Sequence, residues 1–372
     1  MTAPSSNAIR GLPRWTTGAI WHPLYGSYNA AYPCGNLAVE PLARVCRSAG
    51  VAPSSTRYLA QFAQPCAVQL VSLVRHTISL AGQYRCRLWS GAGVPVTANP
   101  ATGQLAGVHR RQTGDAVVVW AAAGSLPAGL SDGSVYTVRV VTPWALTLHV
   151  SPADAVAGVN PVALGTAGSG TLYLLGALLQ DTGWASAWPP AFDVGALAWE
   201  DPRWWSGQYS SDDIAGYIWT YPILFAAPWL AQSVTVEVSD PTNAAGFVDI
   251  GMIDLASAWQ LTVNYSYKGA IGFRFRTRSS EQEGGVLEFD RRAAPRTFSG
   301  QVEAAPATDA CQLTFQDLRQ NDIDTPAMWI QAPNDPRQWL RTSFLARNVS
   351  PGPISAVTDN QFNFVINIEE VI

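Results

Sequence analysis

The chain has 372 residues, a net charge of −4 and charged side chains at only 13% of its positions, about half the ~25% usual in soluble proteins. That length accommodates two or three domains, and the lack of a basic tract or basic–aromatic alternation excludes nucleic acid as a partner. A surface so short of charge suits a chain built into a larger assembly, where less of it meets water; the competing reading is one all-β protein with a neutral surface.

In chain order, residues 1–17 read as an N-terminal arm without a charged-then-apolar signal pattern. Segments 38–49 and 76–81 are the best helix or turn candidates. Elsewhere alternation dominates. Val68-Gln-Leu-Val-Ser-Leu-Val, Tyr84-Arg-Cys-Arg-Leu-Trp, Ser233-Val-Thr-Val-Glu-Val-Ser, Leu261-Thr-Val-Asn-Tyr and Phe362-Asn-Phe-Val-Ile-Asn-Ile place apolar residues at period two, the signature of half-buried strands. Turn residues recur every ten or so positions, which points to an all-β sandwich or barrel. Residues 95–175 are rich in Ala, Gly, Val and Thr and poor in aromatics. Their strand–turn–strand phrases predict a small β module inserted into a loop of one host domain, because loops with close ends tolerate insertions. Beyond about residue 268 Arg, Asp and Glu become frequent, and a boundary is expected near 267–279.

Tryptophan is densest at 184–205, where Trp184, Trp188, Trp199, Trp204 and Trp205 fall among prolines and small residues. So much proline forbids a helix interior. These rings, with Arg203 and Asp201 beside them, suit a platform for sugar rings. They equally suit a core or a subunit interface, where aromatics are enriched for the same physical reason. Segment 214–236 is uncharged and long enough to span a membrane, but Pro222 and Pro228 in its middle favour strands with buried aromatics and no membrane span.

Catalytic signals are weak. Cys34, Cys46, Cys66, Cys86 and Cys311 form no CxxC pair, so buried free thiols are expected and no metal site. His22, His76, His109 and His149 are isolated. Glu200/Asp201, Asp212/Asp213 and Glu369/Glu370 are adjacent in sequence and on strands would face opposite ways. An acid–base couple would need distant partners such as Glu200 and Glu237. Asp240-Pro-Thr-Asn243 could hold Ca²⁺ but reads better as a turn. No cofactor is implied.

Several phrases carry a resemblance. They are Leu73-Val-Arg-His76-Thr-Ile-Ser-Leu, Tyr84-Arg-Cys-Arg-Leu, Asp181-Thr-Gly-Trp184, Leu197-Ala-Trp199-Glu-Asp-Pro-Arg-Trp204-Trp205, and Asp240-Pro-Thr-Asn243 running on to Gly251-Met-Ile. Together they resemble a tail-tip or baseplate protein family of long-tailed, siphovirus-like bacteriophages. Gly114-Asp115, Leu126 to Leu130, Tyr136 to Val138 and Gly168 to Thr171 are similar to a second phage-tail motif. The chain departs from the family's phrases at Thr77, Asp249 and Met252. The resemblance implies a discoidin-like jelly roll at 18–94 plus 176–267, the inserted module at 95–175, and a C-terminal β-sandwich or barrel domain at 268–372. It implies a structural virion component, assembled in the host cytoplasm with other phage tail proteins into a homo-oligomer ring. The jelly roll would project outward, where host-surface glycan is a further expected partner. The alternatives are a virion-associated glycan-degrading enzyme and a free carbohydrate-binding lectin.

Overall fold

Two strands of 20 residues each, Arg57–His76 and Thr220–Ser239, pair antiparallel along their length. Their ladder is interrupted between Leu224 and Trp229 and between Ala231 and Ser233. The interruptions coincide with exposed Pro65 and Pro228, which cannot donate to a ladder. Before its break the first strand sends Tyr58, Ala60 and Phe62 into one core; after it, Val71 and Leu73 reach the same core. A flat strand would keep its parity. The switch shows each long strand folding over, so that its two halves line one core. The second does likewise with Ile223 and Phe225, then Val234, Val236 and Val238.

This computed structural model describes residues 6–372 apart from 189–190, 193–194, 196, 206, 211–213, 215–217, 267–268, 282–284 and 351, and apart from the side chains of 202 and 314–316. The Asp212/Asp213 pair, Lys268 and the expected boundary at 267/268 therefore lie outside the described residues. The strands begin with β1 (Ile9–Arg10), β2 (Ile20–Trp21), β3 (Cys46–Arg47), β4 (Arg57–His76) and β5 (Gln83–Trp89). Next come β6 (Val94–Asn99), β7 (Gln104–Ala106), β8 (Ala116–Ala122), β9 (Val135–Thr142), β10 (Ala145–His149) and β11 (Thr171–Leu174). The chain then returns through β12 (Leu178–Asp181), β13 (Ala185–Ser186), β14 (Thr220–Ser239) and β15 (Asp249–Ala256). It finishes with β16 (Trp259–Gln260), β17 (Ala270–Phe273), β18 (Arg278–Glu281), β19 (Leu287–Asp290), β20 (Arg296–Pro306), β21 (Ala327–Ile330), β22 (Ser343–Asn348), β23 (Ser355–Thr358) and β24 (Gln361–Glu370).

The fold is all-β. One eight-stranded sheet runs β12-β5-β14-β4-β15-β3, with β13 on β5 and β2 on β4. The inserted module, β6 to β11, closes as a six-stranded barrel around Val117, Val119, Val138, Leu146 and Leu172. A second eight-stranded sheet runs β16-β1-β21-β22-β24-β20-β17, with β23 on β24, and β18 and β19 form a separate hairpin. Helical segments are short: Pro152–Ala157, Ala307–Gln312, a π-helical Leu313–Asn321 and Trp339–Thr342. The helix-or-turn candidates resolve into the end of a 3₁₀ turn at Cys34–Ala38 followed by turns and strand β3, and into a turn after His76.

The N-terminal segment is threaded between the two large sheets. Ile9 and Arg10 pair with β16 and β21, so the first strand completes the C-terminal sheet. Arg10 is buried and its guanidinium bonds Asp317 and Asn348, both at 3.2 Å. A few residues on, Arg14 and Thr16 bond Asp254 of β15 at 2.5 and 2.7 Å. Loss of one partner from a buried pair such as Arg10–Asp317 costs about 3–5 kcal/mol, so this stitching is stabilising only as an intact set. The barrel docks through a different cluster. Tyr25, Leu59 and Trp89 of the host meet Val118, Trp120 and Ala122 of β8 and Leu175 just past β11, with Trp120 stacked on Tyr173 at 4.7 Å.

Candidate functional site

The tryptophans expected to form one platform are divided by the structure into three environments. Trp188 is buried, donates its ring N–H to the Ile78 carbonyl at 2.9 Å and packs edge-on to His76 at 5.5 Å. It belongs to the core and presents no face to a ligand. Its burial follows from Ala185–Ser186 pairing with Gln83 and Tyr84, which pulls the next residues under the sheet.

Trp199, Trp204 and Trp205 pack against one another, with ring centroids 4.9, 5.6 and 4.8 Å apart. Trp199 is 66% and Trp205 73% exposed. They are carried by a short 3₁₀ turn, Pro202–Trp204, capped by the Asp201 carboxylate accepting from the Arg203 N–H at 2.9 Å. The Arg203 guanidinium also bonds both Asp201 oxygens, at 2.9 and 2.7 Å. Those bonds hold the Asp201 carboxyl down to about 2. Arg203 in turn lies over Phe192, 4.5 Å from its centroid.

Trp184 stands apart from both groups. It is 39% exposed, and the Arg85 guanidinium lies 4.6 Å from its ring centroid. Arg85 belongs to a charged strip that alternation builds. On β5, Tyr84, Cys86 and Leu88 face the core, which turns Arg85, Arg87 and Trp89 toward the barrel. Glu237 of β14 lies opposite both Arg85 and Arg57 in the ladder. Arg85 Nε meets Glu237 Oε2 at 2.7 Å, Arg87 Nε meets Asp181 Oδ2 at 2.9 Å, and Arg57 pairs with Asp132 of the barrel loop. Arg87 also donates to the Gly133 carbonyl at 3.0 Å. Between this strip and barrel residues 132–136 lies a groove of about 510 Å³. Of these residues only Trp184 and Glu237 are sequence candidates, and in other roles. The signal was the Tyr84-Arg-Cys-Arg-Leu-Trp alternation, read for its apolar face and not for its charged one.

The remaining candidates resolve simply. Asp240 is buried and accepts from the Ser79 N–H and the Asn243 side chain, both at 2.8 Å, closing a turn. Glu369 is held by Arg274 and Arg276 at 2.7 and 3.0 Å, whereas its neighbour Glu370 pairs with buried Arg296. His149 and His109 bond the Val159 and Thr142 carbonyls, and His22 packs edge-on to Trp120 at 4.7 Å. Cys34, Cys46 and Cys86 are buried free thiols, Cys66 is half-buried and Cys311 is exposed. Thr77 and Asp249, two of the departures noted above, bond each other: the Asp249 N–H donates to Thr77 Oγ1 at 2.9 Å. Among the described residues no cluster of three or more His, Cys, Asp or Glu could hold a metal ion, and no helix is long and apolar enough to cross a membrane.

The C-terminal sheet stops at β17, which has β20 as its single ladder partner among the described residues. Ile271, Phe273 and Phe275 there are 47%, 45% and 81% exposed. Ile271 and Phe273 help line an open groove of about 490 Å³ over β20 and β24. The β18–β19 hairpin that follows adds exposed Val286, Leu287 and Phe289. No protein-family model, curated protein or solved structure matches this chain.

Proposed function

We propose that this chain is a structural component of a phage tail tip or baseplate, present in several copies and without catalytic turnover. One observation carries the proposal. Among the described residues the C-terminal sheet ends in an unshielded edge, with Ile271, Phe273 and Phe275 open to water and a hairpin bearing exposed Val286, Leu287 and Phe289 beyond them. An open edge is a template for another chain, and contiguous exposed apolar surface marks an interaction site. The low charge content fits a surface that other subunits cover. On this reading the Trp199–Trp204–Trp205 cluster is a second covered patch, since aromatic anchors concentrate at interfaces.

The enzyme alternative finds less support. Glu237, Glu369 and Glu370 are each engaged by a guanidinium, which suits ladders and docking better than proton transfer to a sugar oxygen. Adhesion to host glycan is the second reading, favoured by the polar groove at Arg85 and by the gain that many weak contacts make when copies are linked.

Electron microscopy of the parent particle, with the chain tagged at its N-terminus, tests the assignment. Density for the tag in a ring at the tail tip is expected. A chain absent from purified particles overturns the proposal, as does steady release of reducing ends from host polysaccharide that stops in Glu200→Gln or Glu237→Gln.

A further inference from the structure

Resting on the edge reading above, we infer that the partner of the C-terminal edge is a second copy of this chain, whose β19 strand lies head-to-tail along residues 271–278.

The β18–β19 hairpin is the outer half of an arm that begins in the C-terminal sheet. Pairing runs from Ala270 opposite Ser299 to Phe273 opposite Arg296, continues with the Arg274 N–H donating to the Pro295 carbonyl at 3.0 Å, and resumes with Arg278 opposite Asp290. From Arg274 to Arg278 the outgoing strand advances four residues, while from Pro295 to Asp290 the returning strand advances five. One extra residue on the return therefore separates two parts of a single ribbon. Its outer part has two strands among the described residues, and every residue of β18 and β19 is exposed. Two strands alone are marginally stable in water, and a third strand over an apolar face is what such a ribbon lacks.

Alternation gives the ribbon two unlike faces. Ile271 lies opposite Phe298 of the core, so Ile271, Phe273 and Phe275 carry the core side of the sheet outward, and the pairs Ser279–Phe289 and Glu281–Leu287 extend it. The other face carries Arg274, Arg276 and Arg278 on the outgoing strand and Glu288 and Asp290 on the return. Arg274 and Arg276 both reach Oε1 of Glu369, at 2.7 and 3.0 Å, and are 53% and 38% exposed. Two guanidiniums thus share one carboxylate oxygen, and the row stays basic.

The open edge of the outgoing strand is alternately apolar and basic. Strand β19, Leu287-Glu288-Phe289-Asp290, is alternately apolar and acidic, and its outer side has no ladder partner among the described residues. Laid antiparallel on that edge with like faces together, β19 of a second copy sets the partner's Asp290 against Arg274, the partner's Phe289 against Phe275 and the partner's Glu288 against Arg276. Opposite charges and aromatic pairs facing each other across strands stabilise a sheet, and like charges facing each other destabilise it. Two copies joined edge to edge about a two-fold axis would set the arginine row against itself. The contact is therefore heterologous, each copy offering an edge and a strand, which builds a ring or a filament and not a closed dimer.

Sedimentation velocity of the full chain and two charge-reversed variants tests this. Arg274→Glu/Arg276→Glu and Glu288→Arg/Asp290→Arg, each alone, should associate about tenfold more weakly than wild type or worse. An equimolar mixture should recover association, because each variant then meets opposite charge on both of its surfaces. Circular dichroism and thermal melting establish that the variants are folded. Should either melt early, Phe275→Cys and Phe289→Cys chains that also carry Cys311→Ser serve instead: mixed, they should form a disulfide between copies, and neither should do so alone. Equal association of wild type and Glu288→Arg/Asp290→Arg overturns the inference, as does a mixture no stronger than its components or a Phe275→Cys chain that cross-links to itself. Strict monomers at every concentration overturn it too. Incorporation into particles is scored separately: if it is lost in Phe273→Ser/Phe275→Ser while the purified chain stays monomeric, the edge reading stands with a different protein as its partner.

Discussion

In the barrel every strand has a neighbour on both sides, whereas the C-terminal sheet stops at β17 and leaves Phe273 and Phe275 in water. Both regions are antiparallel and both have an apolar core of their own. The difference lies in how they treat an edge. Closure removes it from the barrel, and what remains apolar on the outside of β8, Val118 and Trp120, is used up against the host sheet. The C-terminal sheet instead keeps an edge, a groove and a hairpin uncovered. The comparison teaches that the barrel closes on itself within one chain, while the C-terminal sheet leaves an edge of the kind that another chain can extend, as the proposed assembly requires.

The largest expected effect tests the barrel side. Trp120 is wholly buried among Tyr25, His22 and Tyr173. Trp120→Ala should destabilise the chain by about 3–5 kcal/mol. Because the barrel has its own core, denaturant unfolding should split into two transitions, one for the barrel and one for the sheets. A single transition at the wild-type midpoint would contradict the picture of a self-contained module docked by this ring. Replacing 96–174 by a Gly-Ser linker should likewise leave cooperative unfolding of the two sheets.

The second prediction distinguishes the host sheet from both regions by pH. His76 is buried, its Nδ1 accepts from the Ile78 N–H at 3.3 Å, and burial pulls it from 6.5 to about 4, with the Asp240 charge opposing only in part. The folded value lies below the unfolded one. This contribution is therefore full above pH 6.5 and is lost as pH falls toward about 4, by up to roughly 3 kcal/mol. His76→Asn should flatten that slope in urea titrations at several pH values. An equal slope in wild type and variant would show that protonation of His76 is not coupled to unfolding.

Much of this was legible in the residues. Alternation at 84–89 and 233–239 marked β5 and the second half of β14, and the composition of 95–175 marked the module that closes as a barrel. Three things were not. The fold-over of β4 and β14 depends on long-range register, although Pro65 and Pro228 stood at its positions. The recruitment of Ile9–Arg10 into the C-terminal sheet is a two-residue pairing with partners some 250 and 320 positions away, too short to show a period. The tryptophan segment looked continuous because spacing along a proline-rich loop says nothing about depth. Trp188 is drawn under the sheet by the β13–β5 pairing, while Trp205 is left outside.

The smallest expected effect on stability belongs to that outer cluster. Trp205→Ala should change the unfolding free energy by no more than about 0.5 kcal/mol, as for surface sites generally, yet reduce incorporation into particles. A loss of several kcal/mol in the isolated chain would mean that the cluster is a packed part of the fold and not a docking patch.

The central claim is that the C-terminal edge is completed by another subunit, and sedimentation velocity of the purified chain over a wide concentration range tests it most directly. The account predicts concentration-dependent association that is abolished by Phe273→Ser/Phe275→Ser, with the melting temperature of the monomer unchanged. Strict monomers at every concentration, together with normal incorporation of the double variant into tail particles, would contradict it.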